Sequence, residues 1–409
     1  MHINLLYLTA ETYPTFRVDL CVLFGKILPK YGIQSDIVAG KTEGNVETAS
    51  WGGGVTYLCD VSGGAVRKHI NTFLHGIKYM FKADRKRYQA IQVRDMPLLA
   101  AIGLLVARFK GLKFFYWISY PHSEGLILLA RERGLSSGLI KFLFPWIRGH
   151  LGYLLFYRMI LPMADHVFVQ SDQMKENFVK RGFQSDRMTA VPMGVDMEAL
   201  RCADIPPVDD VRLVNKRVIV YLGTLDRPRR IEILFEMVAI VKRQFPNVFL
   251  ILVGDSSDEN HQCWLKMKAS EAGIEDNLLW TGWLPMYEGW RYVRAAEIGL
   301  SPIPRGYLLD ISSPTKVLEY LALERPVVCN DNPDQERVIR ESKAGTCVPY
   351  SAEDFANAVI RMLYLDKKTR DEMGRRGKDY VEHNRDYQII GDNVANSYRN
   401  LFRRDNHGQ

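Results

Sequence analysis

The sequence predicts an α/β protein of two doubly wound, Rossmann-like domains. Three observations carry that prediction. Short β-rich runs alternate with longer helical patterns from end to end, the alternation stops once and restarts, and 409 residues are too many for one ordinary core. The first series is INLLYL, SDIVAG, AIQVRD, LKFFYWIS, HVFVQS and MTAVPMGV. The proline-bearing, charged segment RCADIPPVDDVRLVNK, residues 201–216, then reads as a linker. VIVYLGT, VFLILVGD, NLLWTGWL, EIGLSPIP, RPVVCND and GTCVPY form the second series. The expected division is a first domain over 1–200, the linker over 201–216 and a second domain over 217–384. A C-terminal helix and tail over 385–409 are expected to pack back on the first domain. Ligands of such sheets sit beyond the carboxyl ends of the strands, so the cleft between the domains is the expected site.

Bulk properties narrow the class. Six widely spaced cysteines with no CxxC pair fit reduced thiols in the cytoplasm better than a disulfide framework, and they suggest no structural metal. The opening MHINLLYLTAETYP has its apolar run cut by Glu11 and Pro14 and lacks a basic leader, so it reads as a first strand. Every apolar stretch is broken well short of the ~20 residues of a spanning helix. The expectation is a protein that is soluble or lies on a membrane surface. A net charge of +7 and a pI near 8.9 imply anionic company. Nucleic acid is poorly supported, because the basic residues are scattered and no recognised module occurs.

The second series carries most of the legible chemistry. In YLGTLDRPRRIEIL a strand ends at Gly223, and Arg227, Arg229 and Arg230 crowd the loop before the next helix. Guanidinium groups at a strand end suit a diphosphate, but a solvated helix start uses the same residues, and both readings stay open. SSPTK has the form of a helix opening, with Ser312 or Ser313 as cap, Pro314 in the first turn, and Thr315 and Lys316 following. Free amides at such an opening suit an anion, although a plain capped helix is the commoner use. Glu319 lies on the face of Thr315 and near Lys316, where its carboxylate suits a vicinal diol or a salt bridge to Lys316 or Arg325. In the first series, Asp95 in QVRD and Arg17 in YPTFRVD end or follow strands and are candidates for contact with a second substrate.

Two stretches mix rings and aliphatics with basic residues: residues 69–88 and 135–159. They fit a membrane interface, or core helices whose charges snorkel outward.

The order YLGT…RPRR, LILVGD, LLWTGWLP, AAEIGLSPIP, SPTKVLEYLALERPVVCND and AGTCVPY resembles the donor half of GT-B retaining glycosyltransferases of the large family four, the glycosyl transferases group 1. MADHVFVQSDQMKENFVKRGFQSDRMTAVPMGVD, Met163 to Asp196, looks like that family's segment leading into the hinge. The resemblance runs from about Ala164 to Tyr350. It implies transfer of a sugar from a nucleotide-diphosphate donor with retention of configuration and with no metal required. It places the ribose on Glu319, the diphosphate on Gly223, Thr224, Arg227, Ser313, Thr315 and Lys316, and the base beside Gly254, Asp255 and the 282–285 turn with Trp283 and Leu284. It makes Arg229 and Arg230, which steady the departing diphosphate, catalytic candidates. It makes His122 in SYPHSEG, in a region where a histidine approaches the donor sugar in resembling enzymes, the first catalytic candidate of the acceptor domain, while a loop histidine that caps local backbone fits the residue equally. Glu124 joins Arg17 and Asp95 as a candidate for acceptor contact. The chain departs from the pattern in three places. Thr224 stands where an arginine is usual, Ile311 with Asp310 beside it stands where a glutamate is common, and TFRVD replaces a glycine pair in the first loop.

The leading expectation is therefore a hexosyltransferase moving sugar to a saccharide or a lipid-linked saccharide in surface polysaccharide or glycolipid synthesis, in the cytoplasm and at the inner face of the membrane. A catalytically silent binding subunit for an anionic glycan or partner enzyme, and a nucleotide-sugar epimerase, stand as alternatives. The base of the donor is not legible.

Overall fold

The structure is a computed structural model that describes residues 2–15, 17–41, 51–62, 64–135 and 138–403. The chain divides into two compact units, Met1–Pro192 with Tyr387–Gln409, and Met193–Asp386.

The first unit is built on seven strands: β1 (Ile3–Tyr13), β2 (Ile33–Lys41), β3 (Thr56–Asp60), β4 (Ala90–Arg94), β5 (Lys113–Ile118), β6 (His166–Val169) and β7 (Met188–Ala190). Their order is β3-β2-β1-β4-β5-β6-β7, and every pairing is parallel. Strand β3 is absent from the sequence-based series. Its residues TYLCD are half-buried or exposed, as an edge position allows, so the apolar run that marks the inner strands is missing. One face of the sheet closes over Tyr7, Phe24, Trp117, Phe168 and Tyr398. The last of these belongs to helix Tyr387–Arg403 and donates from its hydroxyl to Gln92 Oε1 at 2.5 Å. Arg399 of the same helix donates to the Tyr31 carbonyl at 3.0 Å.

The second unit has six parallel strands: β8 (Arg217–Leu222), β9 (Val248–Val253), β10 (Leu278–Gly282), β11 (Ile298–Ser301), β12 (Val327–Asn330) and β13 (Gly345–Val348). They are ordered β10-β9-β8-β11-β12-β13. Buried cores cover both faces, one around Ile219, Leu250 and Phe355, the other around Val220, Ile251 and Tyr320. Residues 201–216, expected as a linker, lie inside this unit. Their polar composition pairs with itself and with a neighbouring helix. Arg212 binds Asp210 within the segment, and Val208 N donates to the Arg291 carbonyl at 3.1 Å. Among the described residues no helix is long and apolar enough to cross a membrane.

In each sheet the strand order reverses once, between β1 and β4 and between β8 and β11. The loops leaving those strands at their carboxyl ends are where such sheets receive ligands. That single topological fact selects the two sites described next.

Candidate active site

At the switch point of the second sheet, strand ends meet without intervening side chains. Gly223, just after β8, has φ 138°, and a Cβ there would stand 2.5 Å from Lys316 Cε. Gly254, just after β9, has φ 129°, and its Cβ would stand 2.3 Å from the Gly223 carbonyl oxygen. Both conformations favour glycine, and the approach of Gly254 to the Gly223 backbone excludes a Cβ, whereas at Gly223 the flexible Lys316 side chain could yield. Asp255 follows, its carboxylate accepting from Ser256 N at 2.8 Å.

Lys316 crosses this gap from helix Thr315–Ala322. Its ammonium lies 5.2 Å from the centre of the Tyr221 ring, and its pKa is pushed down to about 7, first by burial and then by Arg229, against the pull of Glu319. The residue as a whole is half-buried. The three arginines separate. Arg229 is half-buried and acts on Lys316, whereas Arg227 is exposed and pairs with Asp258 at 3.4 Å. Arg230 is exposed in a left-handed backbone conformation, with φ 47°.

The serines do not cap the helix. Pro314 occupies the cap position, and no side chain bonds the first amides there. Ser312 Oγ donates to the Leu309 carbonyl at 2.6 Å. Ser313 is buried, accepts from Met193 N at 2.9 Å and donates to Asp334 Oδ2 at 2.6 Å, while Asp334 in turn pairs with Arg385 at 2.5 Å. A deeper polar network has claimed the hydroxyls, so the helix opening, with Thr315 in its first turn, has no serine cap.

Glu319 accepts from Trp290 Nε1 at 3.2 Å and, among the described residues, makes no ion pair. Arg325, its alternative partner, is turned to the carbonyls of Leu323 and Ala296. Nothing in the sequence pointed to Trp290, which orients the carboxylate from another helix. Trp283 is exposed, while Leu284 is half-buried against the core. The carbonyl of Thr224 accepts from the Tyr221 hydroxyl at 3.1 Å. Ile311 is buried, and Asp310 is held by Arg305 at 2.8 Å.

At the switch point of the first sheet a cavity of about 410 Å³ opens beyond β1 and β4, lined among others by Thr9, Glu11, Asp95, Met96 and His122. Asp95 adopts φ 56°, a conformation that aspartate tolerates, and accepts from Ser119 N at 2.8 Å and from Arg94 at 3.2 Å. Beneath it, Arg94 is buried and pairs with buried Asp19 at 2.9 Å, and burial raises the Asp19 pKa against the pull of Arg94. His122 opens helix His122–Arg133 and stands 3.9 Å from Asp95 Oδ2, half of its side chain in solvent. Glu124 turns away from the cavity to accept from the Tyr157 hydroxyl at 2.6 Å, and burial raises its pKa. Arg17 does not line the cavity and is paired with Glu11 at 3.1 Å. The cavity also receives Lys68, His69, Thr72 and Arg148, none of which the sequence singled out individually. Among the described residues no cluster of three His, Cys, Asp or Glu side chains could hold a metal ion.

The sequence model of the family "Glycosyl transferases group 1" matches residues 209–380, which contain Gly223, Arg229, Gly254, Lys316 and Glu319. The second unit is a group 1 glycosyl transferase domain. Solved structures place the whole chain on the GT-B fold. Sucrose-phosphate synthase from Thermosynechococcus elongatus is similar with a TM-score of 0.73 and 19% identity, covering 98% of this chain and 99% of that one. Anabaena HepE in complex with UDP-glucose gives 0.67 and 14%, covering 98% and 100%. WaaG, a glycosyltransferase involved in lipopolysaccharide biosynthesis, gives 0.67 and 14%, covering 95% and 98%. No curated protein matches the sequence. The glycine crossing and Lys316 thus lie in the matched part of the group 1 domain.

Proposed function

We propose that the protein is a retaining hexosyltransferase that uses a nucleotide-diphosphate sugar. The observation that carries this reading is the meeting of Lys316, Arg229 and an uncapped helix opening at a glycine crossing, with Glu319 one turn further along and free of an ion pair. Two cations brought together at a strand end, neither in an ion pair among the described residues and with Glu319 as the acid acting on Lys316, suit a diphosphate. Glu319, with one oxygen on Trp290, has the other lone pairs for a ribose diol. The 254–255 and 282–284 turns would border the base. That solved structures on this fold were crystallised with UDP and UDP-glucose supports a nucleotide-diphosphate sugar as donor.

In this reading the bond between the anomeric carbon and the diphosphate oxygen breaks. The acceptor hydroxyl oxygen bonds to that carbon on the same face, and its proton passes to the departing diphosphate. Lys316, Arg229 and the helix amides stabilise the charge that gathers on the leaving group, the place where fixed donors act most strongly. His122, steered by Asp95, is assigned to the acceptor half. The acceptor is a saccharide or a lipid-linked saccharide of surface glycan or glycolipid synthesis, taken up at the cytoplasmic side, where the protein is peripheral to the membrane.

Thermal unfolding in UDP, GDP, ADP and CMP, beside the Glu319→Ala variant, tests the reading. Stabilisation by one diphosphate, lost in the variant, is expected and names the donor for a transfer assay. No stabilisation by any of them would favour the silent binding subunit, whose support is Thr224 and Ile311 at the departures from the family pattern.

A further inference from the structure

Helix Leu139–Leu155 of the first unit is turned inside out relative to an ordinary surface helix. Its inward face is Pro145, Gly149 and Gly152. A Cβ at Gly149 would stand 2.8 Å from Ile127 and 3.0 Å from the Ser123 carbonyl oxygen, and one at Gly152 would stand 2.6 Å from Ser123 Oγ. Its outward face is a stripe of Ile140, Phe144, Ile147, Leu151 and Leu154, at intervals of four and three residues, all exposed and reaching 82% at Ile140. A surface helix puts that stripe on the core and its polar face in water. Here the stripe runs about 21 Å along the axis in solvent. The helix carries Lys141, Arg148 and His150 and no acidic residue.

The same helix closes the cavity at the β1/β4 switch point with Arg148 and Gly152. Lys68 and His69 line it from the facing helix Ala65–Lys82. His69 has its pKa lowered, first by burial and then by Arg148 and Lys68, so this neutral imidazole and the two cations share one neighbourhood. Among the described residues none of them is in an ion pair, and burial lowers the Arg148 pKa as well. The acids that line the cavity are committed elsewhere, Glu11 to Arg17 and Asp95 to Arg94. An uncompensated cationic rim beside an apolar stripe calls for a ligand with one anionic group and one apolar part.

We infer that the acceptor is a membrane lipid bearing a phosphate, with the phosphate held by Lys68, His69 and Arg148 while the Ile140–Leu154 stripe lies in the bilayer that supplies it. This rests on the transferase reading and deepens its acceptor. An amphipathic helix of this kind inserts its rings and aliphatics at the headgroup boundary and keeps its cations among anionic headgroups. A soluble sugar phosphate would account for the rim and leave the stripe without a role.

The test is flotation of the full chain with phosphatidylcholine vesicles, with and without phosphatidic acid, beside thermal unfolding in glycerol 3-phosphate. Binding is expected only to the vesicles that contain phosphatidic acid. Arg148→Gln should weaken it roughly tenfold, because that cation lines the cavity, and Lys141→Gln, on the same helix but outside the cavity, at most about fivefold. The Phe144→Ser/Ile147→Ser double variant should abolish flotation and leave stabilisation by the donor nucleotide intact. Equal losses for Arg148→Gln and Lys141→Gln would reduce the effect to diffuse surface attraction and overturn the pocket. Stabilisation by glycerol 3-phosphate without vesicle binding would assign the rim to a soluble anion and overturn the lipid. Light scattering that showed a dimer broken by the double variant would assign the stripe to a second copy and also overturn it. Nucleotide stabilisation without vesicle binding defeats this inference alone, whereas vesicle binding without stabilisation by any nucleotide defeats the transferase reading.

Discussion

The two switch points use the same sheet geometry for opposite ends. At β8/β11 the backbone is drawn so close that Gly254 has no room for a Cβ, and the cations there, Arg229 and Lys316, are partly withdrawn from water. At β1/β4 the sheet ends in an open cavity of about 410 Å³ whose cations are mostly on its exposed rim. A site that takes a ligand of fixed chemistry can be built tight around it. On the proposed reading, the open cavity suits an acceptor presented from outside.

The largest effect that would break the comparison lies beneath the open site. Arg94→Ala would leave the Asp19 carboxylate buried without its partner, and a loss of about 3–5 kcal/mol in urea-induced unfolding is expected. A small loss would mean that the first unit's rim is not held on a rigid floor. On the tight side, Lys316→Ala should lower kcat by ~10²-fold or more in a transfer assay, with the fold intact by circular dichroism. Glu319→Ala should weaken nucleoside diphosphate by roughly ten- to a hundredfold and leave inorganic diphosphate unaffected, because only the diol contact is removed, and isothermal titration separates the two. Equal weakening of both would place Glu319 on the phosphates instead.

The inward and outward faces of helix Leu139–Leu155 sharpen the comparison further. Gly149→Leu should cost ~1–3 kcal/mol through overpacking against Ile127 and Ser123, whereas Ile147→Ser should change stability by no more than about 0.5 kcal/mol. A large cost at Ile147 would show that the stripe is covered in solution.

Legibility differed between the two units for a physical reason. The inner strands β8, β9, β11 and β12 are almost wholly buried and write themselves as apolar runs. The half-buried edge strand β13 was readable only from its place in the alternation, and the equally half-exposed edge strand β3 was not read at all. Lys316 and Glu319 could be read together because they stand three residues apart on one short helix, whereas their approach to Gly223, which follows β8, is not written in local spacing. The serine caps were misassigned because Asp334, which takes Ser313, lies 21 residues away. Likewise Lys68, His69 and Arg148 converge from helices about 80 residues apart, and Trp290 reaches Glu319 from another helix. Short-range spacing carries no record of such meetings.

A further expected effect concerns pH. With a folded pKa of about 7 against an ordinary value of 10.5, Lys316 is half-charged near neutrality in the free protein. In the unfolded chain it stays protonated up to about 10.5, so between about 7 and 10.5 the unfolded state binds more protons. Its contribution to stability therefore rises with pH across that window and is unfavourable below it. An incoming diphosphate reverses the balance, because an anion beside the ammonium raises its pKa. Nucleotide binding should then take up a proton near pH 8, seen as a dependence of the titration enthalpy on buffer ionisation, and affinity should fall about tenfold per unit above pH 7 until the bound-state pKa is reached. The Lys316→Arg variant, charged throughout, should abolish both the proton uptake and the slope. A slope that survives in that variant would move the titrating group away from the glycine crossing, and with it the claim that the tight site is set by the desolvation of this one ammonium.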